Sequence, residues 1–327
     1  ENGNYSDYAI LVDENTEKHC LQLLNDRYIK NVIIIPEGEK SKSLEQCEFI
    51  WAEMTKLGLD RRSFLINLGG GVVSDIGAFC ASTFKRGIDF VNIPTTLLAM
   101  TDAAIGGKAG INFKNFKNHL GVFRHPKKIF INPVFLDTLA KVQLRSGYAE
   151  IIKHAIVASP ELWQKAIYRE ESKSDWEQLI KLSSSVKSEI VKVDFEENGI
   201  RKSLNFGHSI GHLIESFHFE NSSKKHLHGE AVAEGMMVES FMAYQKYLLS
   251  EKDLALICNR ISDIFEAQII SEDCQKFIIE NLGQDKKNAF KKYLFVLPEK
   301  IGKVSIDQEV KIDDIKMAIS NYNDYLE

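Results

Sequence analysis

The chain has no Cys-x-x-Cys pair. Its five cysteines (Cys20, Cys47, Cys80, Cys258 and Cys274) are scattered and odd in number. That spacing argues against a disulfide framework and a cysteine zinc site, and points to reduced thiols in the cytoplasm. It also lacks an apolar run of about 18 residues, so no membrane span is expected. The first residues, ENGNYSDYAILVD, show neither the charged nor the apolar region of a signal peptide. No excess of one charge is present either: 41 basic against 46 acidic side chains leave −5. A global pull toward nucleic acid or an anionic membrane is thereby excluded, and local clusters of Lys and Arg need a local explanation. Repeats and low-complexity linkers are missing. What remains is 327 residues, 44% hydrophobic, enough for one large or two ordinary globular domains.

Residues 7–140 alternate short apolar runs with helical spacing. Tyr8–Val12, Asn31–Ile35, Phe64–Leu68, Phe90–Ile93 and Lys128–Ile131 read as buried strands of a parallel sheet. Helices are predicted over Glu14–Leu24, Leu44–Leu57 and Val72–Phe84, with Phe49, Ile50, Met54 and Leu57 on one apolar face. Such alternation implies a doubly wound, mainly parallel, Rossmann-like sheet with right-handed crossovers. Past residue 143 the texture is helical, with Pro160 the one proline between 145 and 285. A late hairpin is expected from Tyr293–Val296 and Lys303–Ile306, then a closing helix near Asp313–Tyr322. The division is therefore an α/β domain over 1–143 and a mainly α-helical domain over 144–327, packed around a shared cleft.

Gly69, Gly70 and Gly71 leave an apolar strand and precede a helix. Glycine there lets the backbone approach a pyrophosphate, and free amides at the helix start attract its charge. The string is GGGxxxD, a variant of the usual fingerprint, and a plain strand-to-helix turn explains it equally well. The loop EGEKSKS (37–43) could present Glu39 and Lys42 to ribose hydroxyls. Taken alone it reads more readily as a solvated loop with Ser43 as N-cap. Pro94-Thr95-Thr96 closes the fourth strand. The stretch from Asp102 through Lys108 to Asn112, followed by Lys117-Asn118, is a Gly-rich, Lys-bearing loop of the kind that binds anions in open α/β sheets.

In the second half, Glu150 and Lys153 share a helix face, as do His208 and His212, and His228 lies on a neighbouring helix. One carboxylate plus two imidazoles, with only one of the 208/212 pair needed, leaves a coordination position open, the pattern of a catalytic metal. Two core histidines and a salt-bridged glutamate would give the same spacing. Lys187, Arg201, Lys286 and Lys287, with Arg86 and Lys108, suit a pocket for a small, multiply charged anion. They are neither contiguous nor interleaved with aromatics, so a nucleic-acid groove is not expected.

Taken together, GEKSKS, GGGVVSD, RGIDFVNIPTTLLAMTDAAIGGKAGIN, KNHLGVF, GYAEIIKH, EENGIRKSLNFGHSIGH, LHGEAVAEGM and DKKN resemble the 3-dehydroquinate synthase family, within the sugar phosphate cyclases. The likeness runs from about Asp13 to Gly302. It implies an NAD-binding first domain, a helical metal-binding second domain and a homodimer. Position by position, it implies that Glu150, His208 and His228 hold a divalent metal, zinc first and cobalt as the alternative. It assigns NAD contacts to Asp13, Glu39, Lys42, Gly70, Gly71, Val72, Asp75, Thr95, Thr96, Lys117, Phe135, Thr138 and Leu139. The substrate pocket would comprise Asp102, Lys108, Asn118, Lys153, Lys187, Glu197, Arg201, Asn205, His212 and the Lys286/Lys287 pair, with Arg86 supplied across the dimer interface.

The family's reaction turns 3-deoxy-D-arabino-heptulosonate 7-phosphate into 3-dehydroquinate and phosphate, a lyase step toward aromatic amino acids. It runs by transient oxidation at C5, β-elimination of phosphate, re-reduction, ring opening and internal aldol closure. Ala109 stands where threonine is usual, Gln143 where glutamate often sits, and Val142 where arginine is common. The family has a further β-segment ahead of Asp13, so the start is read as clipped. Rival readings are a sister cyclase acting on a sugar phosphate without the carboxylate, an iron-type alcohol or glycerol dehydrogenase, and a non-catalytic nucleotide-binding protein.

Overall fold

A computed structural model describes residues 5–114, 116–167, 173–221, 226–282 and 293–327. The chain divides into two compact units, Glu1–Leu144 and Arg145–Glu327.

In the first unit, four strands form a parallel sheet: β1 (Tyr8–Asp13), β2 (Val32–Ile35), β3 (Phe64–Gly69) and β4 (Asp89–Pro94), in the order β2-β1-β3-β4. Their β-branched and aromatic residues suit a pleated surface that helices cover. Between them run α1 (Glu14–His19), α2 (Leu44–Lys56) and α3 (Gly71–Thr83). The strand order reverses between β1 and β3, so the carboxyl ends of those two strands, at Asp13 and Gly69, flank the topological switch point where open α/β sheets bind ligands. The core packs Leu11, Ile33, Ile35, Leu65 and Phe90 of the sheet against Cys47, Ile50, Met54, Ile76 and Cys80 of the helices.

Four expectations are corrected here. Lys128–Ile131 is no fifth strand; it contributes one isolated parallel bridge, Ile129 to Asn92. The buried stripe of α2 runs through Cys47, Ile50 and Met54, while Phe49 is 43% exposed, because the 100° step per residue turns position 49 outward. The first helix stops at His19 and gives way to a 3-10 turn at Leu21–Leu23. The loop of residues 102–118 is largely an antiparallel hairpin, β5 (Lys108–Phe113) with β6 (Phe116–Phe123), bulged between Ile111 and Phe113.

The second unit is helical: α4 (Lys141–Ala158), α5 (Pro160–Ile167), α6 (Lys173–Val193), α7 (His208–Asn221), α8 (His228–Gln245), α9 (Glu251–Ser262) and α10 (Glu272–Asn281). A hairpin follows, β7 (Tyr293–Lys300) with β8 (Lys303–Val310), and α11 (Ile312–Leu326) closes the chain. The central helix α8 is buried on every side from Ala231 to Ala243, which explains why its sequence carries no amphipathic stripe. No helix among the described residues is long and apolar enough to cross a membrane.

Candidate active site

The second unit draws together three side chains from distant places in the sequence. Glu150, on α4, is fully buried. His208 is the first residue of α7 and His228 the first of α8. Glu150 Oε1 lies 3.5 Å from His208 Nε2 and 3.8 Å from His228 Nε2. The ligand nitrogens of His208, His212 and His228 lie within 4.8 Å of one another.

Close helix packing produces this meeting. A Cβ on Gly229 would strike the Ser146 backbone at 2.0 Å, and the Gly229 amide donates to Ser146 Oγ at 3.0 Å, pinning the start of α8 one turn from Glu150. Gly207 (φ 78°) sits against Met236 and Val232, and a Cβ on Gly235 would lie 2.1 Å from the Gly207 carbonyl. Gly211 abuts Ala231 and Val232, while Glu215 reaches His228. The order of these contacts makes α7 and α8 antiparallel neighbours.

Each imidazole is oriented through its other nitrogen. His208 Nδ1 is 3.1 Å from the Phe206 carbonyl, and His228 Nδ1 is 3.1 Å from Glu215 Oε2. With Nδ1 carrying the proton, Nε2 offers a lone pair toward Glu150. Burial, then the charge of Lys153 and the neighbouring imidazoles, holds His208 well below the usual histidine range, so it is neutral, as a ligand must be. Both Glu150 oxygens lack a hydrogen-bond partner among the described residues; Lys153 forms an ion pair with Oε2. Lys153 serves Oε2, but Oε1 faces two inward lone pairs, an arrangement that is costly unless a cation sits among them. One oxygen and two nitrogen donors fit a divalent ion such as zinc. His212, one turn along α7 and exposed, adds a third imidazole beside them, its ring centroid 5.0 Å from that of His208.

A second construction lies between α6 and α7. The Asp194 carboxylate accepts from three backbone amides, those of Asn198 (3.0 Å), Gly199 (2.7 Å) and Arg201 (2.9 Å). Burial opposes its charge, but these bonds prevail and hold it below the usual carboxylate range. The loop so gathered carries Glu197 in the left-handed region (φ 64°), with its carboxylate accepting from Asn205 Nδ2 at 2.6 Å. The same loop carries Arg201, buried, which donates to the Phe195 carbonyl. Lys187 is buried on α6. Lys286 and Lys287 lie outside the described residues, as does the DKKN string.

In the first unit, the amides that open α3 have no side-chain cap among the described residues. The Gly70 position is tight, since a Cβ there would meet Thr96 Cγ2 at 3.0 Å; Gly71 is similarly bounded by Ala103. Free amides at a helix start beside the switch point suit the pyrophosphate of a dinucleotide. Val72 follows on α3, and Thr95, buried, donates its amide to the Gly69 carbonyl at 3.0 Å. Lys42, buried, pairs with Asp75 at 2.7 Å and Glu39 at 3.6 Å and donates to Asn118. Burial pulls Lys42 down, yet the two carboxylates prevail and raise it. Asn112 fastens the hairpin here, donating to Glu39 Oε1 at 2.9 Å and accepting the Asn118 amide at 2.8 Å.

Asp13 caps α1 through the Thr16 amide, and Ser43 caps α2 through Gln46. Asp102 sits on a π-helical turn, Lys108 opens β5, and Lys117 and Asn118 are exposed on β6. Phe135 and Thr138 lie on a 3-10 helix that Leu139 caps. Arg86 is exposed, with φ 71°.

Sequence reasoning overlooked Asp194, Glu215 and Glu239, none of which offers a ligand atom by motif. Glu239, fully buried on α8, bonds the amides of Gly207 (2.6 Å) and Ile210 (3.3 Å). The signal available was a charged residue within the mainly apolar stretch 236–242 of that helix.

Residues 32–146 match the family described as 3-dehydroquinate synthase N-terminal, and 147–288 match 3-dehydroquinate synthase C-terminal. The 3-dehydroquinate synthase of Parabacteroides distasonis is 38% identical over 328 residues, covering 98% of this chain and 92% of that protein. Among solved structures, a 2-epi-5-epi-valiolone synthase from Streptomyces hygroscopicus with NAD+ and Zn2+ bound superposes with a TM-score of 0.87 at 26% identity. It covers 98% of this chain and 92% of that one. A 2-deoxy-scyllo-inosose synthase bound to carbaglucose-6-phosphate, NAD+ and Co2+ reaches 0.83 at 21% identity, covering 97% and 91%, a likeness of fold alone.

Proposed function

The chain belongs to the 3-dehydroquinate synthase family, and from that premise we propose that it converts 3-deoxy-D-arabino-heptulosonate 7-phosphate into 3-dehydroquinate and phosphate. NAD and one divalent metal, zinc first and cobalt second, are its cofactors, and aromatic amino acid biosynthesis by the shikimate route is its setting. The observation that carries this reading is Glu150 Oε1, buried, without a hydrogen bond among the described residues and turned toward two oriented imidazoles, while Lys153 pairs with Oε2. NAD+ and Zn2+ in the valiolone synthase support the cofactor pair.

The first unit is the NAD-binding domain and the second holds metal and substrate. Glu150, His208 and His228 are the metal ligands. When bound, the ion supplies Lewis acidity that lowers the pKa of a substrate hydroxyl. NAD supplies a hydride acceptor that later returns the hydride, so net redox change is zero. The amides of Gly71 and Val72 hold the pyrophosphate. Asp13, Glu39, Lys42, Asp75, Thr95, Thr96, Lys117, Phe135, Thr138 and Leu139 complete the NAD contacts, and Gly70 lets the backbone come close.

Lys187 and Arg201 face the substrate carboxylate. Asn118, Asn205, His212, the Lys286/Lys287 pair and Arg86 hold the phosphate, and Lys108 serves either anion. Asp102, Lys153 and Glu197 orient hydroxyls. Oxidation at C5 acidifies the C6 proton, and the departing phosphate takes it. No strong base is required, so positioning and fixed charge supply most of the rate. We place the enzyme in the cytoplasm, consistent with five free thiols. It acts there as a homodimer in which Arg86 reaches the partner's site. The left-handed run Lys85-Arg86-Gly87 (φ 50°, 71° and 107°), which presents that side chain to solvent, supports this role.

The test is phosphate release from the heptulosonate phosphate with NAD, before and after chelation. Stoichiometric phosphate, no accumulating NADH and loss of turnover on chelation are expected. Full turnover by demonstrably metal-free protein refutes the metal role. Release from sedoheptulose 7-phosphate or glucose 6-phosphate in place of the carboxylate substrate reassigns the chain to a sister cyclase.

A further inference from the structure

The metal reading assigns three ligands but leaves open what holds His208 in place. It opens α7 directly after Gly207, a glycine with φ 78° at the break between a short 3-10 helix (Ile200–Asn205) and α7. The brace comes from α8. Glu239 is fully buried, and its Oε2 accepts the Gly207 amide at 2.6 Å while Oε1 accepts the Ile210 amide at 3.3 Å; the Ser209 amide also bonds this carboxyl. The bonded amides therefore lie on both sides of His208. They belong to the first turn of α7, which has no intrahelical acceptors for them.

Burial pushes the Glu239 carboxyl up to about 8 despite these donors, so the group is an expensive one to keep inside the protein. A residue serving only to fill space there would be apolar, like its neighbours Val238 and Met242. Glu239 lies eleven positions after His228 (239 − 228 = 11), about three helical turns, so both side chains project from one face of α8. The glycine contacts described above then press Gly207 onto that same face.

We propose that Glu239 is a positioning residue for the metal centre: by grasping the Gly207–Ile210 turn from α8, it fixes His208 Nε2 relative to His228, which α8 also carries. It touches neither substrate nor metal. This rests on the metal reading of the proposed function, and it predicts that α8 governs two of the three ligands, one directly and one through the main chain.

The test uses the full-length protein, stripped by chelator and titrated with zinc against a competing indicator, and with Co(II) for its visible absorption. Glu239→Ala is expected to weaken zinc binding by about 10- to 100-fold, the range for removing a group that orients a ligand. The Co(II) band should shift in position or intensity. Glu239→Gln keeps one acceptor oxygen for the Gly207 amide and should recover most of the affinity. Ser240→Ala, which removes a buried helix-internal hydroxyl bond to Met236, should leave both readouts unchanged. Folded Glu239→Ala and Glu239→Gln proteins with native zinc affinity and a native Co(II) spectrum overturn the proposal. Loss of the fold in both variants overturns it too, since the role would then be global. If Glu239→Ala alone fails to fold, a several-fold loss of affinity in Glu239→Gln supports the proposal and native affinity refutes it. Should the native protein bind neither metal, or bind both undiminished after His208→Ala, the metal reading itself has failed. That failure is recognisable without any Glu239 variant.

Discussion

In the first unit the groups proposed to meet a ligand are main-chain amides at the start of α3, beside three successive glycines at the end of a strand. In the second they are side chains from residues 150, 208 and 228, each carried by a different helix, with His208 oriented by the Phe206 carbonyl and His228 by Glu215. The first needs only a local turn and the absence of Cβ atoms. The second needs three helices in register. A backbone site should therefore yield to steric change, and a side-chain site to loss of a single donor.

The largest expected effect follows from that contrast. His228→Ala removes a donor from a side chain 28% exposed, at little cost to the fold. Metal content should fall sharply and phosphate release drop about a thousandfold, given the several kcal/mol a Lewis acid supplies. Metal analysis and a turnover assay on the same sample check this. Gly70→Val attacks the other site by bulk, through the approach to Thr96. The dissociation constant for NAD, read by titration calorimetry, should rise about tenfold or more, with metal content unchanged. If metal content also falls, the two sites are not independently built.

Asp194→Asn leaves both cofactor sites intact and loosens the loop bearing Glu197 and Arg201. We expect KM for the heptulosonate phosphate to rise roughly tenfold with a smaller change in kcat. An unchanged KM would remove Asp194 from the account.

The smallest effect is on pH. Because burial and neighbouring charge depress His208 in the folded state, the unfolded chain binds its proton first as pH falls below the ordinary 6.5. The His208 contribution to the stability of metal-free protein is thus fully present above pH 6.5 and is lost on acidification, by about 1.4 kcal/mol per pH unit, until the depressed folded value is reached. Burial raises the Glu239 carboxyl to about 8, which contributes the opposite slope over this range; urea titrations between pH 7 and 5 should therefore show the His208 slope as the difference between the native protein and His208→Asn.

How far the sequence could be read follows the same division. The strands β1 to β4 and the helix after Gly70 were legible because apolar runs and glycines act locally. Lys128–Ile131 looked equally strand-like, but its pairing with β4 shrinks to one bridge at Ile129, a tertiary outcome that no local pattern encodes. The β5–β6 hairpin was hidden because its glycines resemble a ligand loop, and its pairing depends on Asn112 fastening residues 39 and 118. In the second unit, Glu150, His208 and His228 were legible as residue types suited to a metal. Glu215, Asp194 and Glu239 were not, since a carboxylate that serves a backbone amide or an imidazole has no signature of spacing.

The buried helix α8 has one further consequence. A single residue inserted between His228 and Glu239 would rotate everything beyond it by about 100° around the axis. The carboxylate would swing away from the Gly207 turn and an apolar neighbour would meet three donors. In this chain, length changes should therefore be tolerated in the loops flanking α8 and not in its interior, where the spacing of those two residues behaves as a ruler.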